Sequence, residues 1–183
     1  PTSATVGPEL QADRYAGVLK LVKEKSSWGQ PLNGISRGLA AYFCHNTYVA
    51  EVVDLKVDGN TPIIEKVHAA VDCGIVVNPD AATNMGEGGI IDGIGNALFG
   101  EMTFKDGVPD KNNFHQYRMI RQKETPKAVE VHFVKNEYEP TGLGEPLFPP
   151  VFAAVANALY KATGKRFYDQ PFAKDIKVTS SRM

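Results

Sequence analysis

Thr141-Gly142-Leu143-Gly144-Glu145-Pro146 sets one carboxylate at the end of a two-glycine loop, directly ahead of an apolar stripe with helical spacing. Glycine opens backbone conformations closed to other residues and lets another group come close, and Pro146 biases Glu145 toward extended backbone. A carboxylate presented in this way, with little side-chain bulk before it, is suited to act on a bound reactant as a general base. The same pattern also describes a surface turn carrying a solvated glutamate. Both readings stand open at this level.

The stretch after Asn78-Pro79 is the second place where residue types and spacing invite chemistry. Asn78 reads as a helix cap ahead of a first-turn proline, and the helix is expected to run to about Leu98. Along it Gly86, Gly89, Gly93, Ala97 and Gly100 fall three or four apart, which leaves one face almost bare. Each interior glycine costs about 1 kcal/mol relative to alanine, so something must offset the loss. Close packing of another helix or strand is the favoured reading. The other is approach of a ligand to the helix start, where free N–H groups attract anions. Gly93-Ile94-Gly95 lies inside the expected helix and not after a strand, so it makes a poor dinucleotide fingerprint.

Other reactive residue types are sparse. Cys44 and Cys73 have no CxxC neighbour and are expected as buried free thiols. His45, His68, His115 and His132 lack HExxH-type spacing, so no metal held by protein side chains is expected. His115 and Tyr117 lie in a polar segment that faces either a substrate passage or water. Glu87, before two glycines, reads as a surface charge, a structural bond to a loop, or a ligand contact. Trp28 is expected to be a packing anchor near the first helix.

Elements that position these residues follow from the patterning. Residues 9–25 read as a helix, with Leu10, Val18, Leu21 and Val22 at helical spacing. Residues 38–43 and 47–57 read as strands, the second with Tyr48, Ala50 and Val52 alternating against polar neighbours. Asp58-Gly59-Asn60 is turn chemistry, and residues 63–71 complete a hairpin. Residues 128–134 alternate as a strand. Val151, Ala154, Val155, Ala158, Leu159 and Ala162 form a helical stripe that Gly164 ends. Without a regular βαβ rhythm, the expected fold class is α+β, a layered mixed or antiparallel sheet with packed helices. Residues 1–183 are expected to form one domain, with the helix in 1–30 assignable to a preceding segment of a longer chain.

At 183 residues with 43% hydrophobic content and a net charge of -1, the chain has enough apolar material for a core and no electrostatic reason to bind nucleic acid or an anionic membrane. No apolar run reaches transmembrane length. The first ten residues show no signal peptide. The absence of an initiating Met leaves open a start further upstream. A soluble protein, cytoplasmic or periplasmic, is expected.

Arg37-Gly38 through Val53, Val71-Asp72-Cys73-Gly74 with Val77-Asn78-Pro79, Glu87-Gly88-Gly89, Asn113-Phe114-His115-Gln116-Tyr117-Arg118 and Gly142-Leu143-Gly144-Glu145-Pro146 stand in the order found in one family. In them the chain resembles the C-terminal part of the molybdenum-cofactor-binding subunit of the xanthine dehydrogenase and aldehyde oxidase family. The Asn-Phe-His-Gln-Tyr run and Ala162-Thr163-Gly164-Lys165-Arg166 look most like the isoquinoline 1-oxidoreductase beta-subunit branch. The resemblance spans residues 14 to 172.

That resemblance implies oxidative hydroxylation of an N-heterocycle or an aldehyde with a water-derived oxygen, Glu145 being the catalytic base. It implies cofactor contacts from Gly142, Leu143, Gly144, Met85, Glu87 and Gly88 to molybdenum–molybdopterin, with no protein ligand to the metal. Electrons would leave through a 2Fe-2S partner, whose cysteine motifs this chain lacks. Met85 departs from the pattern, since members commonly have glutamine there, and a thioether cannot replace an amide's hydrogen bonds to the pterin. The family's subunit is also much longer, so the remainder of the molybdenum subunit is an expected partner and the isolated chain is expected to be inactive. A non-catalytic structural or subunit-interaction domain is the alternative; an autonomous anion- or nucleotide-binding module rests only on the glycines.

Overall fold

The computed structural model describes residues 10–176. Helix α1 (Ala12–Ser26) buries Val18 and Val22 and ends at Ser27 in the left-handed region, φ 53°. Its expected start at Glu9 lies outside the described residues. Leu10, counted into the apolar stripe, precedes the helix and is exposed.

Strands β1 (Ser36–Cys44), β2 (Thr47–Asp58) and β3 (Thr61–Asp72) form an antiparallel meander. A tight turn joins β1 to β2 through His45 and Asn46, both with positive φ, 50° and 60°. Asp58 pairs with Thr61 across the turn at Gly59, φ 58°. Helix α2 (Pro79–Leu98) follows, and the Asn78 side chain accepts the Ala81 N–H at 3.0 Å, the expected cap. A two-residue-strand hairpin comes next, β4 (Phe104–Lys105) and β5 (Val108–Pro109). Strand β6 (Ala128–Phe133) then pairs in parallel with β3, so the chain crosses over through α2. Helix α3 (Pro149–Thr163) ends at Gly164, φ 73°, where its stripe predicts.

The sheet runs β1-β2-β3-β6 and is therefore mixed, in the α+β class that the patterning indicates. On one face Val18 and Val22 of α1 meet Tyr48, Ala50, Val52 and Ala70. On the other, Ile90 and Ile94 of α2 and Val151, Ala154 and Val155 of α3 pack over Val49, Val53 and Val67. Trp28 packs against the α1-side cluster with the Arg37 guanidinium 5.7 Å from its ring centre. β2 is thus covered on both faces from Thr47 to Leu55, which corrects the expectation of polar outward neighbours. Glu51 sits between Ala40 and Ala69 on the face of Val49 and Val53, fully buried, with neither carboxylate oxygen hydrogen-bonded.

The glycine face of α2 is a packing surface. A Cβ on Gly93 would lie 2.4 Å from Val151 Cγ1 and 2.7 Å from the Phe148 carbonyl oxygen, so the two helix backbones approach as only glycine allows. Gly86 meets Leu147 and Val131. Gly100 falls beyond the helix end and is not part of that face.

Candidate active site

Four hydrogen bonds hold the glycine loop against the sheet. Thr141 N–H donates to the Cys73 carbonyl at 2.9 Å and Gly142 N–H to the His45 carbonyl at 3.2 Å. The Thr47 hydroxyl shares a hydrogen bond with the Thr141 hydroxyl at 2.7 Å and reaches the Gly142 carbonyl. A Cβ on Gly142 would lie 2.7 Å from His45 Cβ, so this glycine is required by close approach to the β1–β2 turn. Gly144 has open space where a Cβ would stand, and neither loop glycine has a positive φ. Leu143 between them packs on the apolar core and anchors the loop.

Glu145 Oε2 lies 2.8 Å from His45 Nε2, and both side chains are largely exposed. An ionised carboxylate only accepts, so the imidazole donates from an Nε2–H. Oε1 has no partner among the described residues. The backbone N–H groups of Leu143, Gly144 and Glu145 likewise make no hydrogen bond to a described residue.

A cleft of about 270 Å³ opens between this loop and α2, walled by Cys73, Asn78, Met85, Thr141, Leu143 and Gly144. Met85 is half exposed. Gly88, one turn further along α2, is exposed and has open space at its Cβ position. Glu87 stands apart from this group. Two residues of helix turn it about 200° from Met85, and it is half-buried, does not line the cleft, and makes no hydrogen bond or ion pair to a described residue. The structure therefore brings Met85, Leu143 and Gly144 together beside Glu145 and leaves Glu87 outside. His115 is exposed, while Tyr117 donates to Asn96 Oδ1 at 3.2 Å. A larger trough of about 870 Å³ between α1 and β6 contains none of these residues.

Two positioning elements are invisible in the sequence pattern. His45 acts through the tight turn that brings it to Glu145. Asp72, at the end of β3, is 1% exposed and receives Arg14 Nη2 at 2.6 Å, Arg14 Nε at 3.0 Å and Asn136 Nδ2 at 2.8 Å. Burial pushes the Asp72 carboxyl up, but the hydrogen bonds from Arg14, Asn136 and the Gly74 N–H outweigh it and leave the group below its ordinary value. The Arg14 guanidinium also lies over the rings of Tyr48 and Tyr138, 4.8 and 4.6 Å from their centres. This knot joins α1, β3 and the segment leading into the glycine loop. Both thiols are free, as expected; Cys73 is buried but Cys44 is only half-buried, and burial followed by the nearby Glu145 charge raises its pKa.

Comparison with known proteins places this architecture. Residues 9–126 match the molybdopterin cofactor-binding domain, and the chain belongs to that family. The isoquinoline 1-oxidoreductase subunit beta of Brevundimonas diminuta is 32% identical over 164 residues, covering 86% of this chain and 21% of its own. A membrane-bound aldehyde dehydrogenase [pyrroloquinoline-quinone] of Gluconacetobacter polyoxogenes is 31% identical over 166 residues with the same coverage, 86% and 21%. The aldehyde oxidoreductase of Desulfovibrio gigas superposes with a TM-score of 0.59 at 25% identity, over 68% of this chain and 14% of that one. The chain thus spans about a fifth of the length of the curated relatives it matches. It is related to molybdopterin-dependent oxidoreductases. Among the described residues no helix is long and apolar enough to cross a membrane.

Proposed function

We propose that this chain is the C-terminal cofactor-binding portion of a molybdenum hydroxylase large subunit, which hydroxylates an N-heterocycle or an aldehyde with a water-derived oxygen. The observation that carries the reading is Glu145. One carboxylate oxygen is held by His45 and the other has no partner among the described residues, beside a cleft whose wall at Gly144 carries no side chain. The family match ends at residue 126, so the role of the loop rests on this geometry and on the motif order.

The donor set fits the family's cofactor in part. Three free backbone N–H groups at residues 143–145 suit an anionic or acceptor-rich group, and the open Cβ positions of Gly88 and Gly144 leave room for a flat ring system. Met85 contributes apolar contact and no hydrogen bond. When bound, molybdenum–molybdopterin supplies the redox chemistry. The protein's part is proton transfer: Glu145 Oε1 would accept the proton of the oxygen that attacks the substrate carbon, and His45 Nε2, hydrogen-bonded to Oε2, would restrain the carboxylate. Cys44 and Cys73 are both free, and electrons are taken to leave through a 2Fe-2S partner chain or domain. The aldehyde dehydrogenase relative is named for a different cofactor; molybdopterin is preferred here because of the domain match over residues 9–126.

The test is Glu145→Gln in the complete subunit, reconstituted with its iron–sulfur partner. The amide keeps the size of the carboxylate and cannot take up the proton. Molybdenum content should stay at the parental level while single-turnover reduction of the cofactor slows about 10²–10⁴-fold. Parental reduction at full metal occupancy would remove Glu145 from the reaction. A non-catalytic interaction domain is the second reading, favoured by Met85 in the cleft and by Val77, Phe114 and Tyr168, whose side chains are 81%, 93% and 85% exposed. It predicts that the complete subunit binds no molybdenum at all.

A further inference from the structure

The parallel pairing of β3 with β6 puts His68 opposite Glu130 and Ala70 opposite His132, so two imidazoles and a carboxylate meet on the α1-facing side of the sheet. His68 is 5% exposed, and its Nδ1 is buried without a hydrogen-bond partner, 3.3 Å from Glu130 Oε2. His132 Nε2, also buried and unpartnered, lies 3.6 Å from the same oxygen. Lys66 Nζ occupies the other oxygen, Oε1, at 2.6 Å, which leaves Oε2 turned toward both rings. One ligand atom from each of His68, Glu130 and His132 lies within 4.8 Å of the other two.

Four-coordinate zinc, with bonds of about 2.0–2.1 Å, needs ligand atoms roughly 3.3 Å apart. Two of the three separations already stand near that value. Behind the first ring, His68 Nε2 is 3.6 Å from Asp54 Oδ2, and Asp54 is itself fixed by Arg37 Nε at 2.7 Å. A carboxylate behind a ligating imidazole is the arrangement that orients histidine on a metal. A charged His68 bridging Glu130 and Asp54 would instead require a hydrogen bond from Nδ1, and that atom makes none.

We infer that His68 Nδ1, His132 Nε2 and Glu130 Oε2 form a binding site for a zinc-class divalent cation. The ligand set of two imidazoles and one carboxylate matches that ion. Three protein ligands leave a fourth position for water, on the side of the α1–β6 trough that His132 lines. The site shares no residue with the cleft beside Glu145, and its ion would pin the edge strand β6 to β3.

Zinc sulfate titrated calorimetrically into the metal-stripped 183-residue chain should show one ion per chain. His132→Gln and Glu130→Gln should weaken binding at least tenfold, and His115→Gln, in an exposed loop, should bind as the parent does. Cobalt(II) in the same site should give the intense visible bands of a four-coordinate N/O centre. Zinc should raise the melting temperature of the parent and leave that of His132→Gln unmoved; because each variant is compared with and without metal, any loss of intrinsic stability cancels. No saturable zinc binding by the parent, parental affinity in His132→Gln, or equal loss in His115→Gln would overturn the site.

Discussion

His45 and Glu145, 100 residues apart in the chain, meet through Nε2 and Oε2 at 2.8 Å. The contact depends on a turn in which His45 itself has a positive φ, 50°, and on Gly142, whose missing Cβ lets the loop sit against that turn. On the proposed reading His45 is a positioning residue. His45→Asn keeps a side chain that tolerates the left-handed region and deletes the imidazole. Both side chains are largely exposed, so stability should change by less than about 1 kcal/mol. Turnover of the complete enzyme should fall about tenfold with molybdenum content unchanged. Denaturant melts, metal analysis and steady-state kinetics check the three statements together; parental kcat would show that Glu145 needs no help from the turn.

Two glycines of one helix should respond in opposite senses to the same change. Gly88→Ala meets open space and gains helix propensity, so the chain should become more stable by about 0.5–1 kcal/mol. Gly93→Ala drives a methyl to 2.7 Å from the Phe148 backbone oxygen, and overpacking of this kind costs about 1–3 kcal/mol. Urea melts of the two variants side by side give the comparison. In the complete subunit Gly88→Ala should lower molybdenum loading, because its methyl occupies space assigned to the cofactor.

Much of the framework was legible because local chemistry fixes it. Asn78-Pro79 starts α2, Asp58-Gly59-Asn60 turns β2 into β3, and Gly164 stops α3, each by backbone preferences that act within a few residues. What could not be read depends on strand register. The pairing of β3 with β6 places His68 beside Glu130 and Ala70 beside His132, and no short motif encodes it. The same holds for Asp72 with Arg14 and Asn136, where burial and hydrogen bonding come from three separate elements. Glu51 is the sharpest miss: a charged residue type among alternating apolar ones signals an outward face, yet covering the sheet on both sides buries it. Within the candidate site, motif order groups Met85, Leu143 and Gly144 with Glu145, and they stand together in the fold, whereas the helical rotation that turns Glu87 away from this cleft is not written in the motif.

Acid should loosen the Arg14–Asp72 knot. The folded-state pKa of Asp72 lies below its unfolded value, because Arg14, Asn136 and Gly74 outweigh the effect of burial. Its stabilisation is therefore complete above the unfolded pKa of about 3.9 and is lost as pH falls toward the folded value. Asp72→Asn should remove that acid-side loss and, by leaving Arg14 without its anionic partner in a site of low exposure, destabilise the chain by about 3–5 kcal/mol at neutral pH. Unfolding free energies at pH 3, 4 and 7 for parent and variant measure both effects.

Purified alone, the 183-residue chain should carry no molybdenum. Leu143 and Gly144 shape one side of a cleft, Met85 offers no hydrogen bond, and the chain spans about a fifth of its relatives' length. Elemental analysis after expression with abundant molybdate checks this; stoichiometric metal would show that these residues hold the cofactor unaided.

Glu51 sets the opposite pH dependence to Asp72. Full burial without a hydrogen bond raises its pKa well above the ordinary value, so the folded protein holds it as the neutral acid. The unfolded chain ionises it above about pH 4.3. Between that value and the folded pKa, the native state binds one more proton than the unfolded state. Stability must then fall as pH rises, by about 1.4 kcal/mol per pH unit from this group. Glu51→Met keeps an unbranched side chain of similar length and removes the titration. Its advantage over the parent should be smallest near pH 4.5 and grow as pH rises from there, levelling off only above the raised folded-state pKa. Chemical denaturation at pH 5, 6 and 7 isolates the slope from any constant packing difference, since a change in packing displaces the two curves in parallel. Parallel curves would mean that Glu51 is ionised inside the fold, with a partner supplied to it between β2 and α3.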